Sequence, residues 1–296
     1  MAIAEKSSSF SDARPRRSVL YLPGSNGRAI EKVRALACDV VVLDLEDSVA
    51  PEAKVAAREL ACEAVKLGGF GSREILIRTN GLDTPWGADD LAAAALARPD
   101  AVLVPKVSSP ADLAAYRRVL GQETSLWAMI ETCQAILNLD GLGQASRAHA
   151  VRCWVIGAND LVKEMACRPG ADRAPLQPAL ALGVMAARAY GLGIIDGVYN
   201  DIPDIEGLVR ECAQGADLGF DGKSLIHPTH LEAANRAFAP TAGAVAWART
   251  VVSAFESPAN AEKGVLKVDG RMVERLHLEQ ARRVIAIAEA IAAHEG

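Results

Sequence analysis

Residues 40–51 read VVVLDLEDSVAP, so four apolar residues run into three carboxylates, Asp44, Glu46 and Asp47. Burying an unpaired carboxylate is costly, so this acidic end must meet cations, a metal or water. Other apolar runs also end in polar residues. EILIRTN (74–80) ends with Arg78 and Asn80, DAVLVPK (100–106) with Lys106, SLWAMIET (125–132) with Glu131, and CWVIGAND (153–160) with Asn159 and Asp160, while Asp196 lies in GIIDGVY (193–199). Glu131 and Asp160 offer oxygen ligands of the kind that, with water, surround magnesium. Arg78 offers the planar fork that a carboxylate accepts and a lysine cannot imitate. Together they describe a site for a small acid with a carboxylate and an adjacent oxygen. Plainer roles also exist for each: Glu131 and Asp160 as helix caps, Arg78 at the surface, the DLED carboxylates paired with Arg78 or Lys106. Their joint occurrence favours a site, because burying so many charges without a metal or an anionic ligand is expensive.

These residues need a scaffold that brings strand ends together. Eight short runs rich in Val, Ile and Leu begin near residues 18, 40, 74, 100, 125, 153, 193 and 219, with helix-like segments between them. Strand–helix alternation of this kind indicates parallel βα units. Eight units fit a (β/α)8 TIM barrel, whose sites lie at the C-terminal strand ends. A doubly wound sheet is the competing α/β reading, but PGSNGRA after the first strand lacks G-x-G-x-x-G spacing. The expected organisation is a flexible tail over 1–17, a barrel over 18–239 and an extension over 240–296. In that extension, residues 241–256 read as a helix, 263–272 as a small ribbon and 278–294 as a final amphipathic helix.

The chain has 296 residues, is 50% hydrophobic and carries a net charge of −5 with no long basic run. That balance argues against nucleic acid or a membrane surface as partner. Six scattered cysteines without a C-x-x-C pair read as reduced thiols in a cytoplasmic protein. The first residues lack the apolar core of a signal peptide, and no apolar run reaches spanning length.

Taken together, RSVLYLPGSN (17–26), VLDLEDSVAPEAKVAAR (42–58), IRTN (77–80), AVLVPKV (101–107), MIET (129–132), IGANDL (156–161), GIIDGVYNDIPDIEGL (193–208) and GFDGKSLIHP (219–228) resemble the citrate lyase β-subunit family, within the HpcH/HpaI aldolase–citrate lyase superfamily. The resemblance spans residues 17 to about 290. It implies a magnesium-dependent (β/α)8 enzyme, a homotrimer or hexamer, that cleaves or forms a carbon–carbon bond in a 3-hydroxyacyl-CoA such as malyl-, methylmalyl- or citramalyl-CoA, giving an acyl-CoA and a 2-oxo acid. Carried onto this chain, Glu131 and Asp160 ligate Mg2+, and Arg78 with the amides of Gly157, Ala158 and Asn159 binds the 2-oxo acid carboxylate. Glu46 and Asp47 hold metal-bound waters and Arg78, with Lys106 beside them. The family's acid–base Asp, supplied by the adjacent subunit from a Gly-Lys/Arg-Met-Ile/Val-Asp pattern, corresponds to Glu274 in DGRMVERLH. That departure leaves thioester hydrolysis open as a different outcome. The resemblance also accommodates a CoA-independent pyruvate aldolase and a citryl-carrier lyase-like subunit of a larger complex. His230, where relatives often have Gln, has a structural reading.

Overall fold

In a computed structural model, which describes residues 14–260 and 263–295, eight parallel strands close into a barrel. They are β1 (Ser18–Pro23), β2 (Val40–Asp44), β3 (Glu74–Arg78), β4 (Ala101–Val104), β5 (Ser125–Ile130), β6 (Val151–Ile156), β7 (Gly193–Asp196) and β8 (Gly222–Leu225), in sequence order around the ring. β8 returns to β1, with Ser18 opposite Lys223 and Leu20 opposite Leu225. The chain therefore has the (β/α)8 architecture expected from the alternation.

Val- and Ile-rich runs suit these strands because each strand is buried on both faces. One side-chain set, including Val40, Val42, Leu76, Leu103, Trp127, Met129 and Val155, fills the lumen. The alternate set, including Val41, Leu43, Ile77, Val102 and Ile130, packs against the surrounding helices. The lumen is thus solid, and chemistry is left to its rim. Helices Cys133–Leu137 and Ala158–Glu164 begin close to where the cap readings of Glu131 and Asp160 require them, while Leu139–Ala148 and Leu231–Ala237 are additional. Leu139–Ala148 is hidden in sequence by two helix-weakening glycines. One of them, Gly143, lies against the Tyr190 ring, where a Cβ would collide.

Residues 1–13 of the expected tail lie outside the described residues. Arg16 and Arg17, assigned to that tail, are instead buried at the N-terminal end of the barrel. Arg16 Nε is 2.7 Å from Glu74 Oε2 and Arg17 Nη2 is 2.9 Å from Asp39 Oδ1. The Arg16 guanidinium also lies 4.9 Å from the Trp127 ring centroid. These two residues tie the start of β1 to β2 and β3 and cover the floor of the lumen. Gly222 lies so close to the Arg16 carbonyl that no side chain fits there.

Asp196, expected at the mouth, is also placed otherwise. It is fully buried and accepts from Arg173 Nη1 (2.8 Å) and Lys223 Nζ (3.0 Å); Lys223 also reaches Glu211 (2.8 Å). Burial works against the Asp196 charge, but Lys223 and Arg173 outweigh it and hold its pKa below the usual carboxylate range. The group is a two-cation, two-carboxylate fastening of β7 and β8. Asn80 is likewise structural, accepting from Lys54 Nζ (2.7 Å) and donating to Leu45 O (2.8 Å) and Asp90.

Residues from Ala239 onward form a second unit. Helix Ala242–Glu256, the antiparallel hairpin β9 (Val265–Val268) and β10 (Arg271–Glu274), and helix Arg275–Glu295 share a core that includes Val251, Phe255, Leu266, Val273 and Leu278. Asp269 and Gly270, with φ of 46° and 80°, make the two-residue turn that matches strand twist. Glu274 ends β10 opposite Val265, and its N–H donates to His277 Nδ1 (2.9 Å) in the next helix.

Removing one member of the buried Asp196 cluster should leave a partner's charge uncompensated. Lys223→Met is expected to cost about 3–5 kcal/mol of unfolding free energy at neutral pH, read from urea denaturation midpoints.

Candidate active site

The ends of β1, β2, β3, β5, β6 and β8 and the loop after β7 border a cavity of about 340 Å³ at the C-terminal rim. Asp44, Asp47, Arg78, Gly157, Ala158, Asn159 and Asp160 all line it. These are residues selected from sequence, and the barrel brings them to one mouth.

Asp44 and Arg78 are register partners across β2 and β3. Arg78 Nε and Nη2 donate to the two Asp44 oxygens at 2.6 and 2.7 Å, a bidentate pair. Asp44 also accepts from the N–H groups of Glu46 (2.9 Å) and Ser48 (3.1 Å), which folds the acidic loop back over the strand end. Glu46 Oε2 lies 2.9 Å and Asp47 Oδ2 3.6 Å from Arg78 Nη1. The plainer reading of DLED, pairing with Arg78, is therefore realised within the mouth itself. Lys54 Nζ fixes the loop from behind through Leu45 O and Glu46 O, both at 2.9 Å. Lys106, half-exposed, stands 3.8 Å from Glu46.

Burial is the largest influence on these charges. It opposes ionisation of Asp44, yet Arg78 outweighs it and holds the Asp44 pKa low. Glu46 is pushed up to about 8 by burial, with Asp47, Glu131 and Asp44 adding repulsion against the pull of Arg78. Glu131 is pushed up to about 7 by burial and by the Asp160 charge, against the hydrogen bond from Lys106 N.

Glu131 follows β5 and is almost fully buried. Its Oε1 accepts from Lys106 N–H at 2.7 Å, an amide aimed by a left-handed Lys106 (φ 52°). Its other oxygen lies against Gly157, in space that a Cβ would fill. Glu131 therefore stands behind Gly157, not on the lined surface. Helix Cys133–Leu137 is capped by Thr132, so Glu131 is not its cap; Gly157 holds that position ahead of Ala158–Glu164, leaving Asp160 in its first turn, half-exposed. Asn159 exchanges side-chain hydrogen bonds with Asn200 (2.8 and 3.3 Å). His230 is buried and its ring Nε2 meets Ile202 O at 3.2 Å, a structural placement. Glu274 belongs to the second unit.

Two mutually repelling carboxylates with oxygen-only donors, one seated by a glycine, fit a hard divalent cation. Among the described residues no three His, Cys, Asp or Glu side chains are grouped to hold an ion. A cation here would take its remaining ligands from water or substrate. Tyr21, Met129, Asn200 and Ser224 also line the cavity and were not selected from sequence. The strand alternation carried a signal for Tyr21, which shares the lumen face with Val19 and ends in a polar atom near the rim.

The chain belongs to the HpcH/HpaI aldolase/citrate lyase family, whose model matches residues 17–228. It is an enzyme family, and the chain is similar to named members along most of its length. A (3S)-malyl-CoA thioesterase of Cereibacter sphaeroides is 48% identical over 281 residues, covering 95% of this chain and 97% of the relative. An L-malyl-CoA/beta-methylmalyl-CoA lyase of the same species is 34% identical over 310 residues, covering 95% and 97%. The crystal structure of protein CitE from Mycobacterium tuberculosis in complex with magnesium, acetoacetate and coenzyme A superposes with a TM-score of 0.74 at 27% identity, covering 94% of this chain and all of that one.

The Asp44–Arg78 pair sets a pH-dependent prediction. Arg78→Met would leave Asp44 buried without its cation, at a cost of about 3–5 kcal/mol at pH 7. The Asp44 pKa is depressed in the fold, so its contribution is present above the unfolded value near 3.9 and lost as pH falls. In the variant burial acts on Asp44 without Arg78 and raises its pKa, so the difference in unfolding free energy should begin to narrow above about pH 4, as the variant's Asp44 takes up a proton, and close further as the wild-type pair is protonated at lower pH.

Proposed function

We propose that the protein binds the CoA thioester of a short 3-hydroxy dicarboxylic acid, with malyl-CoA as the type, and hydrolyses it to the free acid and CoA. The observation that carries this reading is a guanidinium, Arg78, and a carboxylate, Asp160, lining one mouth, with the Glu131 carboxylate buried behind Gly157 and within reach of both charges. The 48% identity to a (3S)-malyl-CoA thioesterase supports the hydrolytic outcome.

Glu131 and Asp160 would hold Mg2+, a cation present in the CitE complex. When bound, it supplies a positive centre that acidifies a neighbouring hydroxyl and polarises carboxylate oxygens. Arg78 orients the substrate's terminal carboxylate. Asp44 occupies its Nε–Nη2 side, so the Nη1–Nη2 edge, where Glu46 now sits, is the edge offered to substrate. The amides of Ala158 and Asn159, at the start of their helix, donate to the same carboxylate; the Gly157 N–H, expected to join them, is instead taken by Ile130 O at 3.1 Å in the β5–β6 ladder. Glu46, Asp47 and Lys106 keep Arg78 and ordered water in place. In hydrolysis, water adds to the thioester carbonyl, the C–S bond breaks and the departing thiolate takes a proton.

Carbon–carbon cleavage is the second reading, favoured by the 34% identical lyase. There the 3-hydroxyl loses its proton, the C2–C3 bond breaks, and its electron pair forms a thioester enolate that is protonated at C2. Glyoxylate and acetyl-CoA result from malyl-CoA. Glu274 is the acid–base group proposed for C2, supplied by a neighbouring subunit of a homotrimer or hexamer.

Incubation with malyl-CoA and Mg2+ should give malate and free CoA, resolved by mass spectrometry. Glyoxylate and acetyl-CoA as the sole products would replace hydrolysis by cleavage, and no turnover would remove both. Glu131→Gln and Asp160→Asn should each abolish Mg2+-dependent turnover and weaken Mg2+ binding in calorimetry, with unfolding midpoints nearly unchanged. Near-normal activity and affinity in either variant would exclude it as a ligand. Glu274→Ala should lower C2 proton exchange by about 10²- to 10⁴-fold. Mixing it with Asp160→Asn subunits should recover part of that activity. No recovery in verified mixed oligomers would exclude the in-trans role.

A further inference from the structure

Two hydroxyls at the floor of the mouth have no hydrogen-bond partner among the described residues, Tyr21 Oη and Ser224 Oγ. They come from adjacent strands, since Val19 pairs with Ser224 in the β1–β8 ladder. Both residues line the same cavity as Arg78 and Asp160. The Arg78 guanidinium carbon lies 5.3 Å from the Tyr21 ring centroid, so the ring packs on the face of the cation. Ser224 is near enough to the phenol to favour its ionised form slightly, but the two hydroxyls do not meet with hydrogen-bond geometry. Burial, the larger influence, raises the phenol's pKa well above its ordinary value. Tyr21 is thus a protonated donor throughout the neutral range, beside Arg78 and without an acceptor.

A buried hydroxyl left unpaired costs stability, and in native proteins it calls for an explanation. Neither hydroxyl contributes to packing, because phenylalanine and alanine would fill nearly the same space without an unpaired polar atom. The acceptor therefore comes from what fills the cavity, water in the free protein and the ligand once it is bound. Its place beside Arg78 makes the ligand's acceptor anionic.

We propose that Tyr21, assisted by Ser224, donates a hydrogen bond to the substrate carboxylate held by Arg78 and so selects acyl chains ending in a carboxylate over those ending in a methyl group. The inference rests on the function proposed above. Malyl-CoA and 3-hydroxybutyryl-CoA differ at that position alone, with a carboxylate replaced by a methyl group. With the methyl-ended substrate both hydroxyls stay unpaired, the situation in which a polar site discriminates most strongly.

The test compares wild type, Tyr21→Phe and Tyr21→Phe/Ser224→Ala. Loss of one hydrogen bond to a charged group should lower kcat/KM for malyl-CoA by on the order of 10- to 100-fold, without lowering any value for 3-hydroxybutyryl-CoA. Calorimetric titration of glyoxylate with Mg2+ present should show a similar rise in Kd. The unfolding midpoint should stay level or rise, because the hydroxyl removed has no partner among the described residues. A midpoint that falls along with activity would assign Tyr21 a structural role and overturn the proposal. Unchanged kcat/KM and Kd in both variants would overturn it while leaving the proposed function in place. If wild type turns over no malyl-type thioester, the proposed function fails and glyoxylate binding alone decides. Absent binding, or an unchanged Kd in the variants, then overturns the role of Tyr21.

Discussion

The mouth depends on one counter-charge, the Arg78 guanidinium. The end of β2 and the loop that leaves it carry Asp44, Glu46 and Asp47, and all three lie within 4 Å of that group. A buried ion pair is seldom a net source of stability, because desolvation consumes most of the attraction. Its effect here is orientation. Asp44 faces Arg78 in register, takes the side of the fork that points along the sheet, and through its own oxygens folds the loop that carries Glu46. Lys54 holds that loop from the opposite side through two main-chain carbonyls. The result is an arginine whose plane is fixed before any ligand arrives, the condition under which binding energy is not spent on ordering the site.

Much of this was legible in the sequence because parallel barrel strands are buried on both faces. Runs such as VVVLD and EILIR need no alternation to be recognised, and a polar residue at their end is conspicuous. That is how Arg78, Glu131 and Asp160 could be selected. The same signature misplaced Asp196, because an acid at a strand end can turn to the rim or outward beneath a helix. Position in sequence does not tell the two apart. Arg173 and Lys223, which pull Asp196 outward, lie 23 and 27 residues away. Arg16 and Arg17 read as tail residues because their partners, Glu74 and Asp39, reach them only after the strands align. Tyr21 was passed over for the reverse reason: an aromatic residue within SVLYLPG reads as core, and its ring packs against the lumen residues, while its buried hydroxyl finds no partner among them.

The Glu131–Gly157 contact shows how closely the β5 and β6 exits are matched. A carboxylate can be turned toward a shared centre only if the neighbouring strand gives up its side chain there. Gly157 does so at the start of the helix that presents Asp160. One residue without a Cβ thus serves both prospective ligands. Glu131, buried, is not freely hydrated, so the repulsion it feels from Asp160 is retained for a cation to relieve.

Barrel closure has a consequence for how the protein is made. β1 completes the ring by pairing with β8, and Lys223 N–H donates to Arg17 O across that seam, with Gly222 pressed on the Arg16 carbonyl. The two sides of the seam are separated by about 200 residues of chain. At ribosomal rates this interval corresponds to roughly ten to forty seconds. During that time β1 has been extruded with one edge unpaired, and each newest strand presents another. Open edges of that kind invite pairing with other chains. The nascent protein must therefore survive as an incomplete sheet until its eighth strand emerges, which makes translation through residues 222–225 the moment when exposure to aggregation ends.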